Sequence, residues 1–294
     1  MAASTTTASE LTAEQVLNLL VRPLEDASAF LAAGPRIFDT TGPLRLPKLD
    51  APEAPSWHGE NEPIDEVDQE FDEITLLPST MKSVKSLTRY SNELARQSVI
   101  ALDAALRERL VRGVADKIDQ ALIAGDGGSP SGTEPVGLLN YPGTQEVEVD
   151  GVLVFDDLKD AEGLALAADV NMEALRWWLR PETYTALSKL VDGDDRYLIQ
   201  PDPTKAGAKT LLGYPLTVTK RIPDDAGTTS AVLADFSQIA VARDQAPTVK
   251  ILDQTYGNYD QMAIRVTARY DAAPMNAEAV VLLTGVDTDG GTGS

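Results

Sequence analysis

The sequence predicts an α+β fold, and three observations carry that prediction. Ser91 to Ala124 has the period of one long helix, and the chain beyond it alternates between shorter helical patterns and short apolar or alternating runs. Apolar residues make up 43% of the 294 residues, enough for a substantial core. The length allows one large domain or two modest ones, and no internal repeat is present.

Met1 to about Thr12 is small and polar and is expected to be mobile. Between Leu11 and Leu31, the positions of Val16, Leu17, Leu19, Leu20, Leu24 and Phe30 predict a short helix or a packed arm. Pro35, Pro43, Pro47, Pro52 and Pro55 come after it. Each fixes φ and lacks an N–H, so Gly34 to Pro55 should run extended. Eight acids then crowd the stretch from Gly59 to Glu73: Glu60, Glu62, Asp65, Glu66, Asp68, Glu70, Asp72 and Glu73. No Lys or Arg occurs from Leu49 to Met81. Phe71, Ile74, Leu76 and Leu77 predict a strand, Pro78-Ser79-Thr80 a turn, and Met81 to Thr88 a returning strand. An isolated two-stranded hairpin is marginal in water, and this one is too polar to form a core. It needs a surface, either its own body or a neighbouring molecule.

In the long helix Leu94, Leu102, Leu106, Leu110, Val114, Ile118 and Leu122 recur at helical spacing. Ser91 is the expected N-cap, Glu93 sits in the first turn, and Gly125 is the expected stop. At 1.5 Å per residue such a helix is on the order of 50 Å long. Four-residue steps overshoot the helical turn, so its apolar stripe drifts and meets different partners along its length. A loop, Asp126-Gly127-Gly128-Ser129-Pro130-Ser131-Gly132, comes next. Asp156 to Ala168 reads as a helix opening on two acids, Glu173 to Leu179 as a strand, and Pro181 to Leu190 as a helix with proline in its first turn. Pro215–Lys220, Ala231–Ala234, Ile239–Ala242, Val249–Leu252, Met262–Tyr270 and Ala279–Leu283 read as strands. Asp287 to Ser294 is expected to be a flexible end.

Composition excludes several functions. There is no cysteine, hence no disulfide framework, thiolate metal site or cysteine nucleophile. No apolar run approaches the roughly 20 residues of a spanning helix, and the N-terminus has no basic residue before Arg22, so neither an anchor nor a signal peptide is read. The formal charge of −21 repels nucleic acid on average, because phosphate binding needs surplus Lys and Arg. Such a charge serves solubility first.

The candidates for chemistry are weak. His58 is the only histidine and sits in a proline-rich loop, where a surface role is the ordinary one. The acidic stretch lacks the spacing of a calcium loop, and an extended hairpin offers no pocket for a carboxylate pair. A solvated or partner-facing loop explains it better. Gly125-Asp126-Gly127-Gly128 follows a helix, whereas a phosphate-binding turn follows a strand. Trp177 and Trp178 point to opposite faces of one strand, so at least one should be core. Catalytic, metal-binding and cofactor-binding residues are therefore expected to be absent, and no cofactor is expected.

Several of these stretches, in this order, resemble the major capsid proteins of tailed bacteriophages, with the Hong Kong 97-type fold. They are Trp57-His58-Gly59-Glu60, Ser91-Asn92-Glu93-Leu94 through Ser98, Gly125-Asp126-Gly127 with Pro135-Val136-Gly137-Leu138-Leu139, Leu179-Arg180-Pro181-Glu182-Thr183-Tyr184, Asp194-Asp195-Arg196-Tyr197-Leu198, Leu211-Leu212-Gly213-Tyr214-Pro215-Leu216 and Ala234-Asp235-Phe236-Ser237. The resemblance implies an N-terminal arm over residues 1–55 and an extension-loop hairpin over 56–89 lying across an adjacent subunit. It implies a peripheral domain over 90–139 and 243–271, built on a spine helix at 91–124. An axial domain over 140–242 and 272–286 and a tail over 287–294 complete the division.

The same resemblance implies self-assembly into pentamers and hexamers, forming the icosahedral head of a virion put together in the host cytoplasm. It would enclose double-stranded DNA without sequence-specific binding and without a membrane. A portal is an implied partner, and a decoration protein is left open. Too few residues precede the arm for a scaffolding segment, so either a separate scaffolding protein assists assembly or the sequence is already shortened, and Met1 favours the former. Some members weld subunits through an isopeptide bond between a loop lysine and an asparagine, assisted by a glutamate. Here Glu62 stands before Pro63 in the lysine's place, Asn258 to Tyr270 holds no matching glutamate, and Lys82 and Lys85 lie at the wrong end of the loop. No cross-link is expected. Instead Glu60, Glu62, Asp65, Glu66, Asp68, Glu70, Asp72 and Glu73 are expected to face Arg96, Arg107, Arg109, Arg112 and Lys117 of a neighbour. The rival readings are an encapsulin-like nanocompartment shell packaging a cargo enzyme and, more remotely, a carboxylate-based hydrolase.

Overall fold

The structure, a computed structural model, describes residues 28–49, 71–77, 82–91, 102–128, 132–168, 170–191, 197–199, 209–252 and 254–288. It is built on two sheets that share their strands' ends. The first has four strands in the order β1 (Arg36–Asp39), β11 (Ile239–Leu252), β12 (Gln261–Pro274) and β4 (Val84–Ser91). Its first pair is parallel and the others antiparallel. The second runs β5 (Gln145–Gly151), β13 (Val280–Asp287), β10 (Thr228–Asp235), β6 (Leu175–Leu179), β8 (Tyr214–Val218) and β7 (Thr210–Leu211), with β9 (Asp224–Asp225) also pairing β10. The chain passes between the sheets at two short 3-10 turns, Phe236–Gln238 and Ala277–Ala279. The divisions expected after Ala242 and after Asp271 therefore fall inside β11 and β12.

The helices are α1 (Ala29–Ala32), α2 (Leu102–Ala124), α3 (Phe155–Ala167) and α4 (Pro181–Ser188). Among the described residues none is long and apolar enough to cross a membrane. α2 buries Val111, Val114, Ala115, Ile118, Leu122 and Ile123 against β12 and β4. Ser91, expected as a helix N-cap, is the last residue of β4, paired with Gln261. The expected turns at 92–101 lie outside the described residues. Position 125, just past α2, needs glycine for a steric reason. A Cβ there would sit 2.3 Å from the Pro135 carbonyl oxygen and 2.4 Å from that of Ala121. Gly137, whose N–H donates to the Gly125 carbonyl at 2.8 Å, completes this close backbone crossing. α3 begins where the Asp157 carboxylate accepts the Val154 N–H at 2.9 Å, and α4 begins on Pro181.

Trp177 and Trp178 do face opposite ways, and both are fully buried. Trp177 joins Leu233, Leu283, Leu158 and Leu187 under α3 and α4. Trp178 joins the other core, which continues through Phe30, Phe236, Val241 and Val266 to α2. Phe30, Trp178 and Phe236 form an aromatic triad at the junction of the sheets, with Trp178 and Phe236 stacked at 5.0 Å and Phe30 edge-on to both. α1 is held there by Asp119 of α2, which is buried. Its carboxylate accepts the Ala29 and Phe30 N–H groups at 2.8 and 3.3 Å and the Ser28 hydroxyl, and pairs with Arg221 Nε at 3.1 Å. Burial pushes the Asp119 carboxyl up from its ordinary range, against the lowering pull of those donors.

The expected hairpin is corrected. Both strands form, but not with each other. Phe71–Leu76 (β3) pairs antiparallel with Leu44–Leu49 (β2), in the prolines' expected extended stretch, while Val84–Ser91 joins the four-stranded sheet. Pro47 sits opposite Glu73 in this two-stranded ribbon, whose outer edges tolerate a residue without an N–H.

Candidate assembly surfaces

The ribbon meets the rest of its own chain at its root. Leu76 and Leu77 are buried with Ala240 and Ala242 of β11, and Phe38, Leu44, Leu46, Ile74, Ala273 and Met275 pack around them. This small cluster is the hydrophobic surface that the polar ribbon needed, and the chain itself provides it at that end. Leu77 adopts a left-handed backbone with φ 52° and donates its N–H to Asp271 Oδ2 at 2.9 Å. Lys82 Nζ reaches both oxygens of the same carboxylate at 3.0 and 3.1 Å. Asp271 is buried in β12, so one carboxylate fixes the points where the chain leaves β3 and re-enters toward β4.

Beside this clasp lies a cavity of about 320 Å³, lined by Leu76, Lys82, Tyr141, Pro142, Asp271 and Ala277 among others. Burial, with the Asp271 charge adding to it, drives the Tyr141 phenol far above its ordinary pKa. Among the described residues no cluster of His, Asp and Glu could hold a metal ion.

Of the acids expected at a subunit contact, Glu60, Glu62, Asp65, Glu66, Asp68 and Glu70 lie outside the described residues, as do His58 and Arg96. Asp72 and Glu73 lie on β3. Glu73 is exposed and faces Arg45 of its own ribbon at 3.8 Å. Arg107 lies on α2. Arg109, Arg112 and Lys117 sit on the exposed side of α2, with Lys117 3.7 Å from Glu134 and Asp116 between the bases. Arg109, Leu110, Gly113 and Lys117 line a groove of about 610 Å³ against Val84, Ser86 and Thr88 of β4.

Sequence reasoning missed the Asp271–Lys82 clasp and the Asp119 capping site, both made by residues far apart in the chain. It also missed a signal that was present. Lys85, Leu87 and Arg89 alternate along β4, as do Arg265, Thr267 and Arg269 along β12, which places these bases on one face of a sheet.

The model of the Phage capsid family matches residues 10–285. A curated major capsid protein of Klebsiella oxytoca phage phiKO2 is 24% identical over 270 residues, covering 83% of this chain and 60% of the relative. The chain therefore spans about 60% of that relative's length. Among solved structures, the capsid of a native GTA particle superposes with a TM-score of 0.73 at 18% identity, covering 88% of this chain and 90% of the other. Mycobacterium phage Cain gives 0.67 at 21% identity, covering 88% and 90%, and the capsid of Myoviridae phage XM1 gives 0.65 at 14%, covering 87% and 91%. The α+β architecture is thus the Hong Kong 97-type capsid fold, and the chain belongs to the phage capsid family.

Proposed function

We propose that this chain is the major capsid protein of a tailed phage, a structural protein with no catalytic chemistry. It assembles in the host cytoplasm into pentamers and hexamers that close into an icosahedral head around double-stranded DNA. A separate scaffolding protein and a portal assist it, and a decoration protein is an optional partner. The family match along residues 10–285 carries this reading. The ribbon supports it, because its described strands pack on their own body through the cluster at the root, and the acidic segment leads directly into β3.

In this reading the acids from Glu60 to Glu73 face bases of a neighbour, with Arg96, Arg107, Arg109, Arg112 and Lys117 of the spine as the contact set. No covalent cross-link joins them. Each exposed pair contributes only about 0.2–1 kcal/mol, so apolar burial between subunits supplies most of the cohesion and the charges set register. Sedimentation velocity and electron microscopy of the purified protein over a concentration series test the reading. Capsomers or closed shells are expected, and a monomer at every concentration contradicts it.

A further inference from the structure

The cavity beside the ribbon's root has an unmatched hydrogen-bonding pattern. Tyr141 follows the 3-10 turn Leu138–Asn140 and is 4% exposed. Its Oη is buried and has no hydrogen-bond partner among the described residues. Burial and the neighbouring Asp271 charge raise the phenol's pKa, so this oxygen keeps its proton and is a donor. Asp271 does not receive it, because its acceptor positions are occupied. A carboxylate offers about four, and the Leu77 N–H at 2.9 Å, the Ala272 N–H at 3.1 Å and the two contacts from Lys82 fill them. Lys82 has a further N–H beyond those directed at Asp271, and it lines the same cavity.

The rest of the wall is mostly apolar, with Leu76 of the ribbon, Val136, Pro142 and Ala277 lining it and Thr75 adding a hydroxyl. The volume of about 320 Å³ is at the lower end of small-molecule sites, which span roughly 300–1,000 Å³. Donors without acceptors select the ligand. It must accept from both and donate nothing, which is the pattern of a carbonyl oxygen. An anion is disfavoured, since Lys82 is already neutralised and the Asp271 charge lies beside the site. A cation finds no open carboxylate. Water accepts from both donors but brings hydrogens of its own to a wall of mainly apolar groups.

We infer that this cavity binds a small neutral molecule through a carbonyl oxygen, held by Tyr141 Oη and Lys82 Nζ, with its apolar body against Leu76, Pro142 and Ala277. Every group in the site belongs to one chain, so binding does not depend on assembly. The site also joins distant parts of the fold. Tyr141 precedes β5 of the second sheet and Lys82 precedes β4 of the first. A bound carbonyl braces the two sheets together beside the root of the ribbon.

Saturation-transfer NMR tests this on the full chain in any state of assembly. The probe is N-methylpyrrolidone, a tertiary amide with an acceptor and no donor. Pyrrolidinium and cyclopentanecarboxylate are its cationic and anionic counterparts. Saturable transfer to N-methylpyrrolidone alone is expected, with a dissociation constant on the order of millimolar for so small a ligand. Tyr141→Phe, which removes only the hydroxyl, should weaken it about fivefold. Ala277→Leu, which fills the cavity, should abolish it, with circular dichroism and thermal melts confirming that both variants fold. A crystallographic or electron-microscopic map with the probe should place its carbonyl oxygen within hydrogen-bond distance of both donors. Undiminished binding by either variant puts the probe elsewhere and overturns the proposal, as does preference for a charged probe. Absence of saturable transfer overturns it too. So does a map that shows water only, or a side chain of a second copy, in the cavity.

Discussion

Lys82 and Asp271 lie 189 positions apart in sequence, yet the Lys82 ammonium contacts both carboxylate oxygens of Asp271, the same group that accepts the Leu77 N–H. The pair is nearly enclosed, with side-chain exposures of 13% and 3%. Removing one partner of such a pair leaves a buried charge uncompensated, at about 3–5 kcal/mol. Asp271→Ala should therefore lose about that much by urea denaturation. Lys82→Met combined with Asp271→Asn, which keeps an acceptor for Leu77, should lose clearly less. Equal losses would show that the clasp is not a coupled unit.

The triad at the sheet junction gives a second prediction. Phe30→Ala removes the edge-on ring from Trp178 and Phe236, and a buried aromatic truncated to alanine costs about 3–5 kcal/mol. Because Phe30 is the largest side chain that α1 places in the core, the same variant should also expose residues 28–33 to protease. Unchanged cleavage would mean that the Asp119 hydrogen bonds hold α1 alone.

Two glycines near one another should respond in opposite directions to alanine. Gly125→Ala places a Cβ against backbone carbonyl oxygens at 2.3 and 2.4 Å, and only a backbone shift relieves that. Gly113, exposed within α2, has nothing within 4 Å of its Cβ direction. Gly113→Ala should stabilise by about 0.5–1 kcal/mol through helix propensity, while Gly125→Ala destabilises. Thermal melts of the two variants decide it.

Asp39 and Arg243 are opposite one another in the β1–β11 register and bonded at 2.6 Å. The Arg243 hydrogen bond, with its charge adding to it, holds the Asp39 carboxyl below the ordinary carboxylate range despite partial burial. A carboxyl whose folded pKa is depressed stabilises the fold above its unfolded pKa, and that contribution is lost as pH falls through the folded value. NMR titration should place Asp39 below ordinary aspartates, and Arg243→Met should move it upward. No movement would detach β1 from this ion pair.

The strands were legible because period-two patterning is local, as in Met81 to Thr88 or Met262 to Tyr270. Their partners were not. Phe71–Leu76 and Val84–Ser91 are near neighbours in sequence and each reads as a strand, so a hairpin was the economical expectation. Pro47 hid the true partner of the first, and the partner of the second lies in β12, far along the chain. Gln145–Gly151 went unread as a strand because acids alternate with its valines, although it pairs in parallel with β13. The acidic segment was evident as composition. The bases that share one face of the four-stranded sheet, Lys85, Arg89, Lys250 and Arg265, needed register across three strands, which no single stretch of sequence contains.

In the proposed shell the acidic segment of one molecule lies on another and sets register. Particles assembled from an equal mixture of unlabelled and 15N-labelled chain, treated with a carbodiimide that joins carboxylates directly to lysines, report this by mass spectrometry. Cross-links from the acids between Glu60 and Glu73 to Lys117 should join peptides of different isotope content as often as peptides of the same content. Cross-links found only within one isotope would place the segment on its own chain and contradict the docking between copies.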